Sequence, residues 1–286
     1  MRRLHIQHAT EYRFLIPVRL LPHRLMLRPR ENHNVRIESS TLEIVPQHTL
    51  QWKRDVLDNS LAVVVVPEPT NLLRIASDVK IQHYDENPFN FLLDDYAVMH
   101  PFAYTEWDRI ELDPFLQLVY PSDRAAISQW LDALGLRQPT QTLTLLDRIN
   151  HAISGGFSYR IREEQGVQSP SFTLQQQNGS CRDFAALFME VCRHLGLASR
   201  FVSGYLFTWG GDTDNASTHA WAEVYLPGAG WKGFDPTSGE LTGDRHIAVA
   251  VARHPEAVPP VSGDYIGIAH EHPSLSVTLR VSEIVG

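Results

Sequence analysis

Cys181, His219 and Asp235 occur in the chain order of a nucleophile, a base and a carboxylate that orients the base. Cys181 follows Asn178-Gly179-Ser180 and opens an apolar-periodic stretch, so it reads as the first residue of a helix. A thiol there faces unpaired backbone N–H groups and the positive end of the helix dipole, and both favour thiolate over thiol. The dipole is worth about 0.3–1 kcal/mol, whereas moving a thiol from a pKa of ~8.5 to ~7 takes about 2 kcal/mol. A cationic partner is therefore required, and an imidazolium at His219 would supply it. Such a set attacks an amide carbonyl, holds the acyl group as a thioester, and passes it to water or to an amine. The oxyanion formed on the way needs two donors. The Cys181 backbone N–H is one candidate, and Tyr159 and Gln175–Gln177 are candidates for the second. Trp221 reads as core first and as a substrate-facing ring second.

His219 and Asp235 can cooperate only if they share one face of a hairpin. Thr218–Leu226 and Trp231–Asp235 read as its strands, joined through Pro227-Gly-Ala-Gly230. With all four residues in the loop, Leu226 opposes Trp231 and Asp235 falls opposite Ala222, on the face away from His219. Shifting the pairing by one puts Asp235 opposite Trp221, diagonal to His219 and on its face. Because side chains alternate with period 2, the shared site demands a three- or five-residue loop or a bulge.

The elements that must carry these residues are legible. Up to about residue 120 the chain reads as strands: Leu4, Ile6, His8, Thr10, Tyr12 and Phe14 share one parity, and Leu61–Val66 and Leu72–Tyr84 are extended. Val35/Ile37 and Leu42/Ile44 have opposite parity, which predicts a bulge near Ser39-Ser40. Helices are predicted after Ser122-Asp123, after Pro139, and over about Cys181–Leu195. From Arg200 the chain returns to strands: Arg200–Trp209, the hairpin, His246–Arg253 and Leu275–Val281. Helices followed by an antiparallel sheet indicate an α+β unit behind a β-sandwich-like one, with the boundary in Pro101–Ser122. The division drawn is 1–115 and 116–286.

These residues resemble a known family. Gly-Ser-Cys-Arg-Asp-Phe-Ala (179–185), Arg-Phe-Val-Ser-Gly-Tyr-Leu (200–206) and His-Ala-Trp-Ala-Glu-Val-Tyr-Leu-Pro-Gly-Ala-Gly-Trp-Lys-Gly-Phe-Asp-Pro-Thr (219–237) are similar to the bacterial transglutaminase-like family. Arg-Leu-His-Ile (3–6), Pro-His-Arg-Leu-Met-Leu-Arg-Pro-Arg (22–30) and Arg-Asp-Val-Leu-Asp-Asn-Ser (54–60) resemble its N-terminal β-domain. The resemblance implies a papain-like transglutaminase core, with Cys181 as nucleophile, His219 as base and Asp235 as its orienting carboxylate. It also implies a polypeptide or small-amide substrate. The superfamily includes crosslinkers, peptidases, amidases and inactive members. Ser180 stands where animal crosslinking transglutaminases have Gln, which turns the expectation toward hydrolysis. A non-catalytic scaffold or protein-binding module is the competing reading.

Other classes are excluded by what accompanies these motifs. The net charge is −8, although residues 1–30 hold seven arginines against Glu11 alone. Those arginines interleave with apolar residues at strand spacing, and no nucleic-acid motif accompanies them, so no nucleic-acid partner is expected. Fourteen histidines include no His-Glu-x-x-His, and no Gly-rich phosphate loop is present, so no metal and no cofactor are expected. The longest aliphatic runs have six residues, far short of the roughly 20 that span a membrane. The N-terminus lacks the apolar region of a signal peptide. Cys181 and Cys192 lie roughly 16 Å apart along one helix, too far for a disulfide. Two free thiols fit a cytoplasmic protein. Cys192 reads as a buried small hydrophobe and Asp183 as a first-turn helix carboxylate.

Overall fold

The computed structural model describes residues 1–84, 87–162, 164–208, 218–267 and 273–284. The 19-residue strand Arg2–Leu20 is the spine of the N-terminal region. It pairs antiparallel with Thr70–His83 on one side and with Ser274–Glu283 on the other, and Val35–Val45 continues the sheet beyond Thr70–His83. The parity clash read from the sequence is met by a register shift between Ile37 and Ser39. A second sheet runs Val261–Ser262, His23–Leu25, Ser60–Val65, Thr49–Arg54. Val18, Leu20, Leu25, Ala62, Val64, Leu73 and Ile75 fill the space between the sheets.

One face of the long sheet serves two cores. Leu73 and Ile75 pack on the small sheet, whereas Leu4, Ile6, Val79 and Ile81, on the same parity farther along, join the core of the α+β unit. Full burial of such aliphatic side chains is worth roughly 1.5–3 kcal/mol each, so the shared face holds the two units together. Polar His8 and Thr10 sit between the two apolar zones; His8 Nδ1 lies 3.0 Å from the Tyr205 hydroxyl.

The α+β unit has helices α1 (Glu106–Leu116), α2 (Arg124–Ala133), α3 (Thr142–Gly156), α4 (Pro170–Gln176) and α5 (Cys181–His194). Its five-stranded sheet has the order Glu240–Leu241, Gly230–Asp235, Thr218–Leu226, Ser199–Leu206, His246–Ala252. Helix α5 is central: Phe184, Leu187, Phe188 and Val191 are buried in one core with Ala220, Ala222, Val224 and Phe234 of the sheet. Phe188 stacks on Phe234 with ring centroids 5.4 Å apart. Among the described residues no helix is long and apolar enough to cross a membrane.

The expected α+β class holds, but four details differ. The 115/116 boundary cuts the last turn of α1, a helix lying within Pro101–Ser122, where the sequence reading placed the boundary. The end of the 116–286 unit returns to the N-terminal sheets through Val261–Ser262, Tyr265–Ile266 and Ser274–Glu283. Alternation marks a strand but not its partner, so that return is a tertiary fact. Helix α4 was also missed, being only seven residues long. The strand expected to reach Trp209 ends at Leu206, and Trp209 itself lies outside the described residues.

Candidate active site

Cys181 is the first residue of α5, with Ser180 as N-cap. The Asp183 carboxylate, fully buried one turn in, fixes that start. Its Oδ2 accepts from the Ser180 backbone N–H and hydroxyl (both 2.8 Å), and its Oδ1 accepts from the Gln168 N–H (2.8 Å) and Arg162 Nη1 (2.7 Å). Asp183 therefore has the structural role expected of it, tying the start of α5 to Arg162 and Gln168. Gly179 is needed here because an added Cβ would sit 2.9 Å from the Asp183 Cβ and 3.2 Å from the Phe184 ring.

Ser158–Tyr159 pairs in parallel with Asn178–Gly179, just ahead of Ser180, and this pairing carries Tyr159 to the cysteine. The Tyr159 hydroxyl comes close enough to Cys181 for the cysteine to influence its ionisation. Partial burial, then the charge and hydrogen bond of Cys181, push the phenol up to about 12. Near neutrality it is a protonated donor. The Tyr159 side of the cleft is open, with the residue 51% exposed.

The hairpin adopts the register that the shared face demanded. Leu226 pairs with Gly230 and Ala222 with Phe234, leaving a three-residue loop, Pro227–Ala229. Asp235 and His219 meet: His219 Nε2 donates to Asp235 Oδ2 at 2.8 Å. That bond leaves Nδ1 of the ring available to Cys181, whose interaction with the ring favours its charged form. Burial works against the charged ring, but the hydrogen bonds and charges of Asp235 and Cys181 outweigh it and push the His219 imidazole up to about 10. Burial also works against the Asp235 carboxylate. Hydrogen bonds from His219 and His246 and their charges hold it well below the usual carboxylate range. Asp235 Oδ1 accepts from the Thr237 N–H at 2.9 Å.

Two sequence candidates are not brought to the cysteine. Trp221 is 2% exposed and packs with Val202, Val251 and Leu57, so it is core rather than a substrate surface. Gly204 makes room for it: a Cβ there would lie 2.7 Å from the indole ring and 2.3 Å from the Ile247 carbonyl. Gln175 lies exposed on α4, and no hydrogen bond joins it to Cys181 among the described residues.

The structure adds His246, which the sequence reading did not single out. Its Nε2 lies 3.2 Å from the same Asp235 Oδ2. His219, Asp235 and His246 offer ligand atoms within 4.8 Å of one another, a donor set of the kind that holds a divalent cation. However, the Gly243 N–H donates to His246 Nδ1 (3.4 Å), which places that ring's proton on Nε2 and makes it a donor toward Asp235. No local signal marks His246, since its strand joins the sheet through Ser199–Leu206 and only the tertiary structure brings its ring to Asp235.

Comparison with known proteins agrees with this architecture. The uncharacterized protein Rv2569c of Mycobacterium tuberculosis is 29% identical over 275 residues, covering 91% of this chain and 87% of its own. The uncharacterized protein ML0607 of Mycobacterium leprae is 24% identical over 278 residues, covering 93% of this chain and 94% of its own. The crystal structure of a candidate cysteine protease from Cytophaga hutchinsonii superposes with a TM-score of 0.77 at 17% identity, covering all of this chain and 91% of that one, which establishes the fold. Residues 4–82 match the bacterial transglutaminase-like N-terminal region and residues 133–236 match the transglutaminase-like superfamily. Its core over residues 133–236 is thus transglutaminase-like, behind a bacterial transglutaminase-like N-terminal region over residues 4–82.

Proposed function

We propose that this protein is a thiol-dependent amide hydrolase acting through Cys181, His219 and Asp235. The observation that carries the reading is the buried imidazole of His219, held at 2.8 Å by Asp235, with Cys181 beside it helping to raise its pKa. With the ring raised to about 10, the proton that leaves the thiol resides on His219 as an imidazolium beside the sulfur.

The Cys181 thiolate forms a C–S bond to the amide carbonyl carbon, and the carbonyl oxygen becomes an oxyanion. The Cys181 backbone N–H and the Tyr159 hydroxyl are the donors suited to that charge. As the oxyanion collapses the C–N bond breaks, and His219 gives its proton to the leaving amine. Water then attacks the thioester and passes a proton to His219. The C–S bond breaks, the carboxylic acid leaves, and the thiolate–imidazolium pair returns. One amide and one water yield one acid and one amine. Asp235 stays ionised throughout and holds the ring.

Hydrolysis is favoured over crosslinking because the thioester would form on a partly exposed sulfur beside half-exposed Tyr159, where water has access. A cytoplasmic setting goes with this reading, since both thiols are unpaired.

Iodoacetamide labelling followed by peptide mass spectrometry tests the proposal. Cys181 should alkylate at pH 6–7 faster than free cysteine, and His219→Ala should remove the advantage. A Cys181 no faster than free cysteine would overturn the enzyme in favour of a scaffold. Supplying a glutamine-containing protein with a labelled primary amine separates the two acyl acceptors. Release of ammonia without incorporation is the expected result, and stoichiometric incorporation would make the protein a crosslinker.

A further inference from the structure

Asp235 carries two imidazole donors on one oxygen. His219 Nε2 approaches Oδ2 at 2.8 Å and His246 Nε2 at 3.2 Å, and all three side chains are buried. A carboxylate oxygen has lone pairs for both, so the second bond does not displace the first. It restricts rotation of the carboxylate and favours its ionised form. The Gly243 N–H on His246 Nδ1 sets the tautomer needed for this, with the proton on Nε2.

His246 is itself anchored from outside the α+β unit. Its strand, His246–Ala252, is an edge of the five-stranded sheet, and the N-terminal region covers that edge. His83 Nε2 donates to the His246 carbonyl (3.2 Å), and the Arg30 N–H donates to the Ala248 carbonyl (2.8 Å). The buried Asn59 amide bonds both the N–H and the carbonyl of Val251, each at 2.8 Å. An edge strand would otherwise present these groups unpaired. The charged and titratable groups around His246 are Asp235, His219, whose ring centroid is 6.1 Å away, and His83, with the Arg2–Asp244 ion pair on the preceding loop.

We infer that His246 is a positioning residue for the reactive set, the second donor that holds Asp235 toward His219, and that the N-terminal β-domain keeps it in place. The inference rests on the Cys181–His219–Asp235 reading. It gives the N-terminal region a part in the chemistry without requiring that region to touch the substrate. His246 acts through Asp235, so its loss should change the protonation behaviour of the site and not only its stability.

The test is the pH profile of Cys181 alkylation from pH 5 to 9 in the full-length protein, for the wild type, His246→Phe, His246→Gln and His219→Ala. His246→Phe keeps a ring and removes the donor. It should slow alkylation near pH 6 roughly tenfold, the usual effect of losing one hydrogen bond to a charged group, and move the low-pH limb upward. His246→Gln retains an N–H donor and should recover most of the rate and the wild-type limb. A His246→Phe profile that superposes on wild type, or a His246→Gln profile as poor as that of His246→Phe, overturns the positioning role. If His219→Ala leaves the Cys181 profile unchanged, the triad reading itself fails, whatever the His246 variants do. Should His246→Phe not fold, ¹⁵N-histidine NMR of the wild type decides. The expected state is neutral His246 with a bare Nδ1 and a protonated Nε2, and a proton on Nδ1 overturns the inference.

Discussion

The two cysteines of α5 sit on the same helix, eleven residues apart, in opposite chemical settings. Cys181 opens the helix behind its Ser180 cap, partly exposed, with the His219 imidazole and the Tyr159 phenol beside it. Cys192 is fully buried among Leu187, Phe188, Val191 and their neighbours, and burial pushes its thiol far up. Residue type and secondary structure are identical, so neither decides reactivity. What differs is whether the sulfur has a cationic partner and a route to solvent. On the proposed mechanism one end of the helix holds a charge, whereas the interior excludes one.

The sharpest way to break that contrast is His219→Ala. Without the imidazolium, alkylation of Cys181 at pH 6–7 should fall by roughly 30- to 300-fold, the drop from a fully ionised thiol to one of ordinary pKa ~8.5, and mass mapping of the labelled peptides measures it. Retained speed would mean that the helix end alone activates the thiol.

Asp183→Ala attacks the scaffold beneath Cys181. Removing a buried carboxylate that pairs with Arg162 should cost about 3–5 kcal/mol, read from urea unfolding, because Arg162 and the Ser180 and Gln168 N–H groups lose their acceptor. A loss under about 1 kcal/mol would show that water replaces the carboxylate and that the loop is not anchored there.

The reactive end should also carry a pH signature that the buried end lacks. A histidine whose pKa is raised on folding adds stability in full below its unfolded value of about 6.5. For His219 that contribution is lost as pH rises toward about 10. Wild-type stability should therefore fall by on the order of 2 kcal/mol between pH 6.5 and 9.5, relative to His219→Ala measured alongside. Parallel stability curves for the two proteins would count against the raised imidazole.

Serine substitutions give the smallest and most symmetrical comparison. Cys192→Ser places a hydroxyl in an apolar site and should cost about 1–3 kcal/mol while leaving Cys181 labelling untouched. Cys181→Ser should change the thermal midpoint by less than about 0.5 kcal/mol equivalent and abolish fast labelling. Calorimetry on the pair reads both. A Cys181→Ser protein less stable than Cys192→Ser would reverse the roles assigned to the two positions.

Much of this was legible from residue order. Glycine, serine and an apolar stripe placed α5 to within a residue, because helix starts and amphipathic period are local properties. The parity of Val35/Ile37 against Leu42/Ile44 located a register shift. The demand that Asp235 share a face with His219 ruled out the simple four-residue loop, because side-chain period leaves no intermediate register, and the structure took the three-residue alternative. Trp221 shows where such reading stops. Its parity placed it beside His219, but its burial depended on Leu57 and Val251 arriving from distant segments.

Residue order by itself determined which elements form, which faces they present, and that a thiol, an imidazole and a carboxylate lie on elements able to converge. Tertiary structure alone decided which edges meet. The C-terminal strand returned to the long N-terminal strand, Asn59 and His83 closed the edge beyond the reactive hairpin, and His246 came to share an oxygen with His219. The physical reason is one of range: capping and periodicity act within a few residues, whereas the pairing of a free strand edge is settled by whichever surface buries it.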